Sequence, residues 1–142
     1  ARVFIMFKAF VYLYLTIPII CFGSCWVDVY TDKKTDIYLD YCSIVQVGKY
    51  KKAWVRWVFA ENKETSISPT KEYDEAKYLT YFDCALRAST NVQYIFYSPE
   101  PDNKVVDSYN IEFKSTNLVD DAPDTLGEAV LNSVCRVRGR KK

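Results

Sequence analysis

Five cysteines constrain this chain of 142 residues more than any other feature. Two of them, Cys84 and Cys135, fall in a predicted strand and at the end of a predicted helix, so a disulfide between them would join these two elements. The others are Cys21, Cys25 and Cys42. Five cysteines in so short a chain are typical of an exported protein, because disulfides persist in oxidising compartments.

The N-terminus carries a short apolar segment. Arg2 and Lys8 precede the apolar residues 9–22, a run too short to cross a bilayer of about 30 Å but suited to the core of a signal peptide. The sequence therefore predicts a signal peptide over residues 1–24, with Met6 as an alternative start. A cytosolic protein that buries the same apolar run as its first helix is the other alternative, and it fits the cysteine content less well.

The end of the leader offers two processing routes. Cleavage by signal peptidase leaves four cysteines, for which the preferred pairing is Cys25–Cys42 and Cys84–Cys135. Cleavage by a lipoprotein peptidase leaves Cys25 as the attachment point of a lipid anchor, and Cys42 as an odd thiol that is buried or available for an intermolecular bridge. Both routes stay open, and they place the protein either at the outer membrane and cell surface or in the periplasm.

Charge is divided between the body of the chain and its C-terminus. After the leader the chain is long enough for one domain, assigned to residues 25–135, but not for two. This domain holds 12 Lys and Arg against 18 Asp and Glu, so its acidic balance argues against nucleic acid as a partner. We interpret residues 136–142 as a solvated, disordered basic tail; alternatively, such a tail attracts anionic lipid or polyanions such as matrix glycans.

Alternating apolar and polar residues predict an antiparallel sheet. Residues 26–30 and 36–41 alternate, and the polar stretch between them is typical of a hairpin loop. Residues 53–60 are apolar on both sides apart from Arg56, which is typical of a central strand. The pattern predicts a meander of about seven strands. Its other strands lie at residues 42–47, 79–86, 91–97 and 109–113, with a charged insert at residues 61–73 and a turn at residues 98–103.

The strand at residues 79–86 carries the first cysteine of the predicted link to the helix. Its alternation puts Thr80, Phe82, Cys84 and Leu86 on one face. We therefore expect Cys84 to point in the same direction as core residues.

One C-terminal helix is signalled by its start. Thr125 and Glu128 form a capping box, in which the Thr125 hydroxyl accepts from the Glu128 amide while the Glu128 side chain reaches back. Cys135 ends the helix. The predicted fold class is α+β, an antiparallel β-sheet meander with one C-terminal helix tied to the sheet by a disulfide. The apolar stripe of the helix consists of Leu126, Ala129, Val130 and Val134.

An ordered set of short motifs runs through the chain. It consists of Trp26-Val-Asp-Val, Tyr38-Leu-Asp40 with Ser43-Ile44, Gly48, Tyr81-Phe-Asp-Cys84, Pro123-Asp-Thr-Leu-Gly-Glu-Ala-Val and Cys135. In order and spacing, the set resembles the bacterial surface-adhesin protein E family over residues 26–135. The resemblance implies an antiparallel sheet with a packed helix and export to the envelope, frequently as an outer-membrane lipoprotein. It further implies a homodimer that binds laminin, vitronectin and plasminogen, as the characterised adhesin does.

Catalysis finds little support in the residue types. The chain has no His, which removes Ser-His-Asp and Cys-His nucleophile systems and the commonest transition-metal ligand. Asp120, Asp121 and Asp124 can in principle bind Ca²⁺ or act as paired carboxylates, but we interpret them as a solvated loop that stabilises the helix N-terminus. The sequence predicts a non-enzymatic protein without a cofactor or a metal site.

Binding of a protein ligand is the favoured class of function. Trp54 and Trp57 are expected mainly in the core, yet a Tyr-rich sheet face or edge with Arg56 has the composition of a protein-binding surface. The candidate contact segment leads up to Cys84, because in the adhesin the segment ahead of the same cysteine has been linked to ligand binding. Its candidate residues are Lys71, Tyr73, Lys77, Tyr78, Tyr81 and Arg87.

These observations predict an exported cell-envelope protein whose ligand is a host matrix protein or plasminogen. The alternative is a periplasmic structural or inhibitor-type domain that binds another envelope protein and does not reach the cell surface.

Overall fold

The computed structural model describes Gly23 and residues 25–141 of the chain. The signal peptide predicted over residues 1–24, including the start at Met6, lies outside the described residues except for Gly23. Within the described part, no helix is long and apolar enough to cross a membrane.

A single, mostly antiparallel sheet with a helix on one side confirms the predicted α+β fold class. The elements are β1 Trp26–Thr31, β2 Thr35–Asp40, β3 Val45–Val47, β4 Tyr50–Glu64, β5 Glu72–Asp83, β6 Ala88–Tyr97, β7 Val105–Asn110, β8 Val119–Asp120, α1 Leu126–Arg136 and β9 Arg140–Lys141. The main strand order is β1-β2-β4-β5-β6-β7, so consecutive long strands are neighbours, as in a meander. The short strand β3 pairs with β4, β8 pairs with β6, and β9 pairs with β3 in parallel.

The β1–β2 hairpin closes through one aspartate. The Asp32 carboxylate accepts hydrogen bonds from the backbone N–H groups of Lys34 and Thr35, both at 2.7 Å. These bonds lower the pKa of Asp32, because they stabilise its charged form. The predicted loop between the first two strands is thereby confirmed.

The charged insert predicted at residues 61–73 is strand at both of its ends and a loop between them. β4 continues through Glu64 and β5 begins at Glu72, with a shift of register between Val58 and Lys63. Thr65 closes the remaining loop, since its N–H donates to the Lys71 carbonyl at 2.9 Å and its hydroxyl accepts from the Lys71 N–H at 3.0 Å. Backbone pairing thus extends the hairpin beyond the apolar residues, while the charged side chains reach solvent.

The strand predicted at residues 79–86 stops earlier than its pattern indicates. β5 ends at Asp83, whose carboxylate accepts from the N–H groups of Ala85 and Leu86 at 3.1 and 3.0 Å and bends the chain into a turn. Leu86 is consequently 65% exposed, so its predicted place on the core face is wrong. Phe82 and Thr80 are buried as predicted.

The last predicted strand is also shorter than expected. β7 ends at Asn110, and Phe113 leaves the sheet to stack on Tyr81 with 4.3 Å between ring centroids. The alternation at residues 109–113 therefore does not continue as strand.

Helix α1 covers one side of the sheet. The Glu128 N–H donates to the Thr125 hydroxyl at 3.3 Å, which confirms the capping contact, while the Glu128 carboxylate reaches back to the Asp124 N–H at 2.8 Å. The predicted stripe omitted Leu131, which is fully buried. The core cluster consists of Ile37, Leu39, Ile44, Ala53, Val55, Phe82, Val130, Leu131 and Val134.

Two disulfides join the cysteines of the domain in the preferred pairing. Cys84 bonds to Cys135 and ties the turn after β5 to α1, and Cys25 bonds to Cys42. The Asp40 carboxylate supports the second bond, since it accepts from the N–H groups of Cys25 and Cys42 at 2.8 and 3.1 Å. One sulfur cannot hold both a disulfide and a lipid, so this bond and the predicted lipidation of Cys25 exclude each other.

Candidate protein-binding surface

Alternation along the central strand β4 separates two sides of the sheet. Val55 and Trp57 lie with the core cluster beneath α1. Because successive side chains of a strand point to opposite sides, their neighbours Trp54, Arg56 and Val58 point away from the helix. We call this helix-free side the open face. Its members from five strands are Trp26, Tyr38, Trp54, Arg56, Val58, Glu75, Lys77, Leu79, Ile95 and Tyr97.

A buried carboxylate lies at the centre of the open face. Glu75 is only 7% exposed, and its carboxylate accepts from the Arg56 guanidinium at 2.8 Å and lies 3.7 Å from the Lys77 ammonium. The hydrogen bond to Glu75 raises the pKa of Arg56 above its ordinary value. The ion pair thus holds the guanidinium in place at the centre of the open face.

Aromatic rings hold the two cations of the open face. The Arg56 guanidinium lies 5.4 Å from the centre of the Tyr38 ring. The Lys77 ammonium lies 4.6 Å from the Tyr97 ring and 5.9 Å from the Trp26 ring. Cation–π contacts of this kind restrict long side chains before a ligand arrives, which lowers the entropy lost on binding.

Half-buried apolar side chains surround these charges in register. Trp54 lies opposite Leu79, and Lys77 lies opposite Ile95 on the next strand. All three apolar side chains are partly exposed, and in the part of the chain that the structure describes no helix packs over them. Aromatic residues and Arg amid aliphatic side chains form the composition of interface hot spots.

One end of the open face is covered. The Phe113 ring stacks on Tyr81 and meets Tyr50 edge-on, with 4.9 Å between the latter centroids. The segment after β7 thus limits the open face on the side of Tyr81, and the ligand-accessible part lies over Trp54 and Lys77.

Two of the predicted contact residues lie on the opposite side of the sheet. Tyr73 and Tyr78 belong to a group of rings on the helix side, where Tyr73 lies 4.7 Å from Phe96 and Tyr78 lies 5.5 Å from Tyr94. Burial raises the pKa of Tyr78, since it disfavours the phenolate. These rings stabilise the outer strands. The group consists of Trp57, Phe59, Tyr73, Tyr78, Tyr94, Phe96 and Tyr109.

The other predicted contact residues are also divided. Lys71 lies in the exposed loop just before β5, and its ammonium donates to the Val106 carbonyl at 2.8 Å. Arg87 binds α1 through Glu128 at 3.0 Å and Asn132 at 2.9 Å.

The six candidates therefore do not form one surface, and only Lys77 and the partly covered Tyr81 lie on the helix-free side. Their role in ligand binding stays a prediction. From the sequence, we did not identify Trp26, Tyr38, Glu75 and Tyr97 as members of the open face. The sequence signal that pointed toward it was Arg56, a single charged residue in an otherwise apolar strand.

The acidic loop before α1, with Asp120, Asp121 and Asp124, is not solvated throughout as predicted, because Asp121 is partly buried. Asp121 Oδ2 is buried and has no hydrogen-bond partner among the described residues, and a Cβ at Gly127 would collide with Oδ1. Burial raises the pKa of Asp121, against the opposing effects of a hydrogen bond from Ser89 and the charge of Arg87.

This pKa shift predicts a pH-dependent gain in stability for Asp121→Asn. When folding raises the pKa of a carboxyl, its ionisation lowers the free energy of unfolding. This loss develops as the pH rises from the unfolded pKa, about 3.9, through the folded pKa. We expect the variant to melt above the wild type at neutral pH, with the difference vanishing in acid. Thermal denaturation across this range measures it. Asp120→Asn, at the exposed neighbour, should show little change, and a lower melting temperature for Asp121→Asn at neutral pH would contradict the account.

One group of side chains is close enough together to hold a metal ion, but neither of its cysteines has a free thiolate to bind one. Among the described residues, Cys25, Asp40 and Cys42 form such a group, but both sulfurs are held in a disulfide.

The fold defines a class of protein: a small, disulfide-bonded α+β domain. A family model of the surface-adhesin protein E family matches residues 26–136, and the chain belongs to this family. It is thus a surface adhesin-like protein, for which the family indicates an exported or cell-surface location, a protein ligand and adhesion rather than catalysis. No curated protein sequence matches the chain significantly.

Proposed function

We propose that this protein is a non-enzymatic adhesin of the cell surface that binds a host protein, namely laminin, vitronectin or plasminogen, through the open face. The family membership supports adhesion as the class of function. The observation that carries the choice of surface is the array of partly exposed apolar side chains around Arg56 and Lys77, whose charges are already paired with Glu75.

The open face is better suited to bind a protein ligand than the linear segment before Cys84. Burying Trp54 and Leu79 against a partner removes apolar area from water, and the neighbouring cations need little further ordering. The carboxylate between them prevents the two like charges from repelling each other. A segment whose side chains alternate between two sides of a sheet cannot present all of them to one ligand.

Matched substitutions test this choice. Laminin, vitronectin and plasminogen are immobilised in turn, and binding of the purified protein is measured by surface plasmon resonance. Trp54→Ala and Lys77→Ala, both on the open face, are expected to raise Kd by about tenfold or more. Lys71→Ala removes a lysine that lies just before the same strand and outside that face, and it should change Kd by less than about twofold.

The opposite pattern would overturn the proposed surface. If Lys71→Ala weakens binding and Trp54→Ala does not, the linear segment is the contact. If the wild type binds none of the three proteins, the proposed ligand class is wrong. Circular dichroism of each variant separates lost contacts from lost fold, and sedimentation of the same samples tests the homodimer that the family resemblance implies.

Display at the cell surface has its own test. Protease treatment of intact cells should remove the protein without lysis if the domain faces outward. Full protection until the envelope is opened would instead support the periplasmic domain that binds another envelope protein.

A further inference from the structure

The C-terminal residues form an ordered basic edge instead of the expected disordered tail. β9 pairs with β3 in parallel, the Arg140 N–H donates to the Ile44 carbonyl at 3.3 Å, and a Cβ at Gly139 would lie 3.0 Å from the backbone nitrogen of Gln46. This pairing brings two basic segments together. The basic edge consists of Lys49, Lys51, Lys52, Arg136, Arg138, Arg140 and Lys141.

No negative charge interrupts the basic edge in sequence. Residues 41–52 and 129–142 contain no Asp or Glu. Arg136, Arg138 and Lys141 are exposed and make no ion pair with any residue in the described part of the chain. Of the other members, Lys49 lies 3.8 Å from the Asp83 carboxylate. The positive charge of Arg136, Arg138 and Lys141 is therefore available to a ligand.

One lysine of the edge has a structural role. The Lys51 ammonium donates to the carbonyls of Val134 and Cys135, both at 3.3 Å, and to that of Val137. It thereby satisfies the last carbonyls of α1 and opposes the negative end of the helix dipole. Above it lies an open groove of about 640 Å³ between the two basic segments. The groove is lined by Gln46, Gly48, Lys51, Arg138, Gly139 and Lys141.

The basic edge lies at the end of the domain where the apolar leader joins. The Arg140 guanidinium donates to the Cys42 carbonyl, and Cys42 is bonded to Cys25. The apolar residues 9–22 precede Cys25 by only a few positions. The opposite end of α1 is acidic, with Asp32, Asp124 and Glu128 around one cleft.

We propose that the basic edge docks on anionic phospholipid headgroups and sets the orientation of the domain at the membrane. In the chain that retains residues 9–22, clustered Lys and Arg next to this apolar segment bind anionic lipid cooperatively with it, since each contributes a separate attraction. The acidic end of α1 is repelled by the same surface and faces away from it. A membrane is preferred over a glycan because the edge contacts Cys42, whose disulfide partner Cys25 follows the apolar residues 9–22 by only a few positions. This inference does not depend on the ligand of the open face.

Vesicle co-sedimentation of the full chain tests the proposal. Vesicles of phosphatidylcholine alone are compared with vesicles that also contain phosphatidylglycerol, at low and high salt. The wild type should bind the anionic vesicles about tenfold or more tightly than the neutral ones, and salt should reduce this preference. Arg138→Glu with Lys141→Glu should abolish it. Lys33→Glu with Lys34→Glu, an equal charge change in the β1–β2 loop, should preserve it.

Each other outcome counts against the proposal. Equal binding to both kinds of vesicle, or a preference that survives in the edge variant, would overturn it. Binding of the wild type to a heparin column without a preference for anionic vesicles would assign the edge to glycans instead. Circular dichroism checks folding, and Lys141→Glu alone, at an exposed position, replaces the double variant if that one fails to fold.

Discussion

Replacing both Cys84 and Cys135 by alanine is expected to lower the free energy of unfolding by about 4 kcal/mol. The bond joins residues 51 positions apart and so removes much of the conformational freedom of the unfolded chain. In the folded state the same bond holds the turn after β5 against the end of α1. For a single domain of this size, such a loss is a large part of the net stability.

Urea unfolding, followed by circular dichroism, measures this loss against an internal comparison. The second bond, Cys25–Cys42, spans 17 positions, so the corresponding alanine pair should lose less, about 3 kcal/mol. A larger loss from the Cys25 and Cys42 pair would contradict the loop-length argument. Reduction of the wild type with a thiol should lower stability further than either alanine pair.

Leu131→Ala is expected to cost about 2–5 kcal/mol of unfolding free energy. Leu131 is fully buried on α1, where it packs in one cluster with Ile37 and Val55 of the sheet. Truncating it removes apolar contacts and leaves a cavity that the rigid sheet cannot fill. The helix should remain formed but hold the sheet less firmly.

Leu86→Ala is the matched control for this substitution. Leu86 is also a leucine, but it is 65% exposed in the turn after β5, so its truncation should cost less than about 0.5 kcal/mol. Thermal and urea unfolding of both variants give the comparison. Similar losses at the two positions would contradict the assignment of Leu131 to the core and Leu86 to the surface.

The main side-chain contacts that stabilise the fold do not involve the open face, which can therefore contact a ligand. Helix α1, its disulfide and the tyrosine-rich ring group all lie on the other side of the sheet or at its end. Substitutions at Trp54 and Lys77 can therefore change binding without removing a core contact. The basic edge occupies yet another part of the domain, next to the Cys25–Cys42 bond.

Local patterns determined most of the architecture from sequence alone. The alternation of residues 26–30 and 36–41 produced a hairpin, since a strand with one buried face needs a period of two. Thr125 and Glu128 marked the start of α1 through contacts within a single turn. The Cys84–Cys135 pair followed from its predicted positions in a strand and at the end of the helix. The Cys25–Cys42 pair was the preferred pairing in only one of two processing routes that the sequence left open.

Only the tertiary structure decided where strands end and which side a side chain occupies. Backbone pairing carried β4 and β5 through charged residues, and Asp83 turned the chain before Leu86 could join the core. The parallel pairing of β9 with β3 ordered a tail that has no strand pattern of its own. These outcomes depend on contacts between residues far apart in sequence, which a local pattern of apolar and polar residues does not contain. The positions of the open face and of the basic edge on the domain were therefore decided by the tertiary structure.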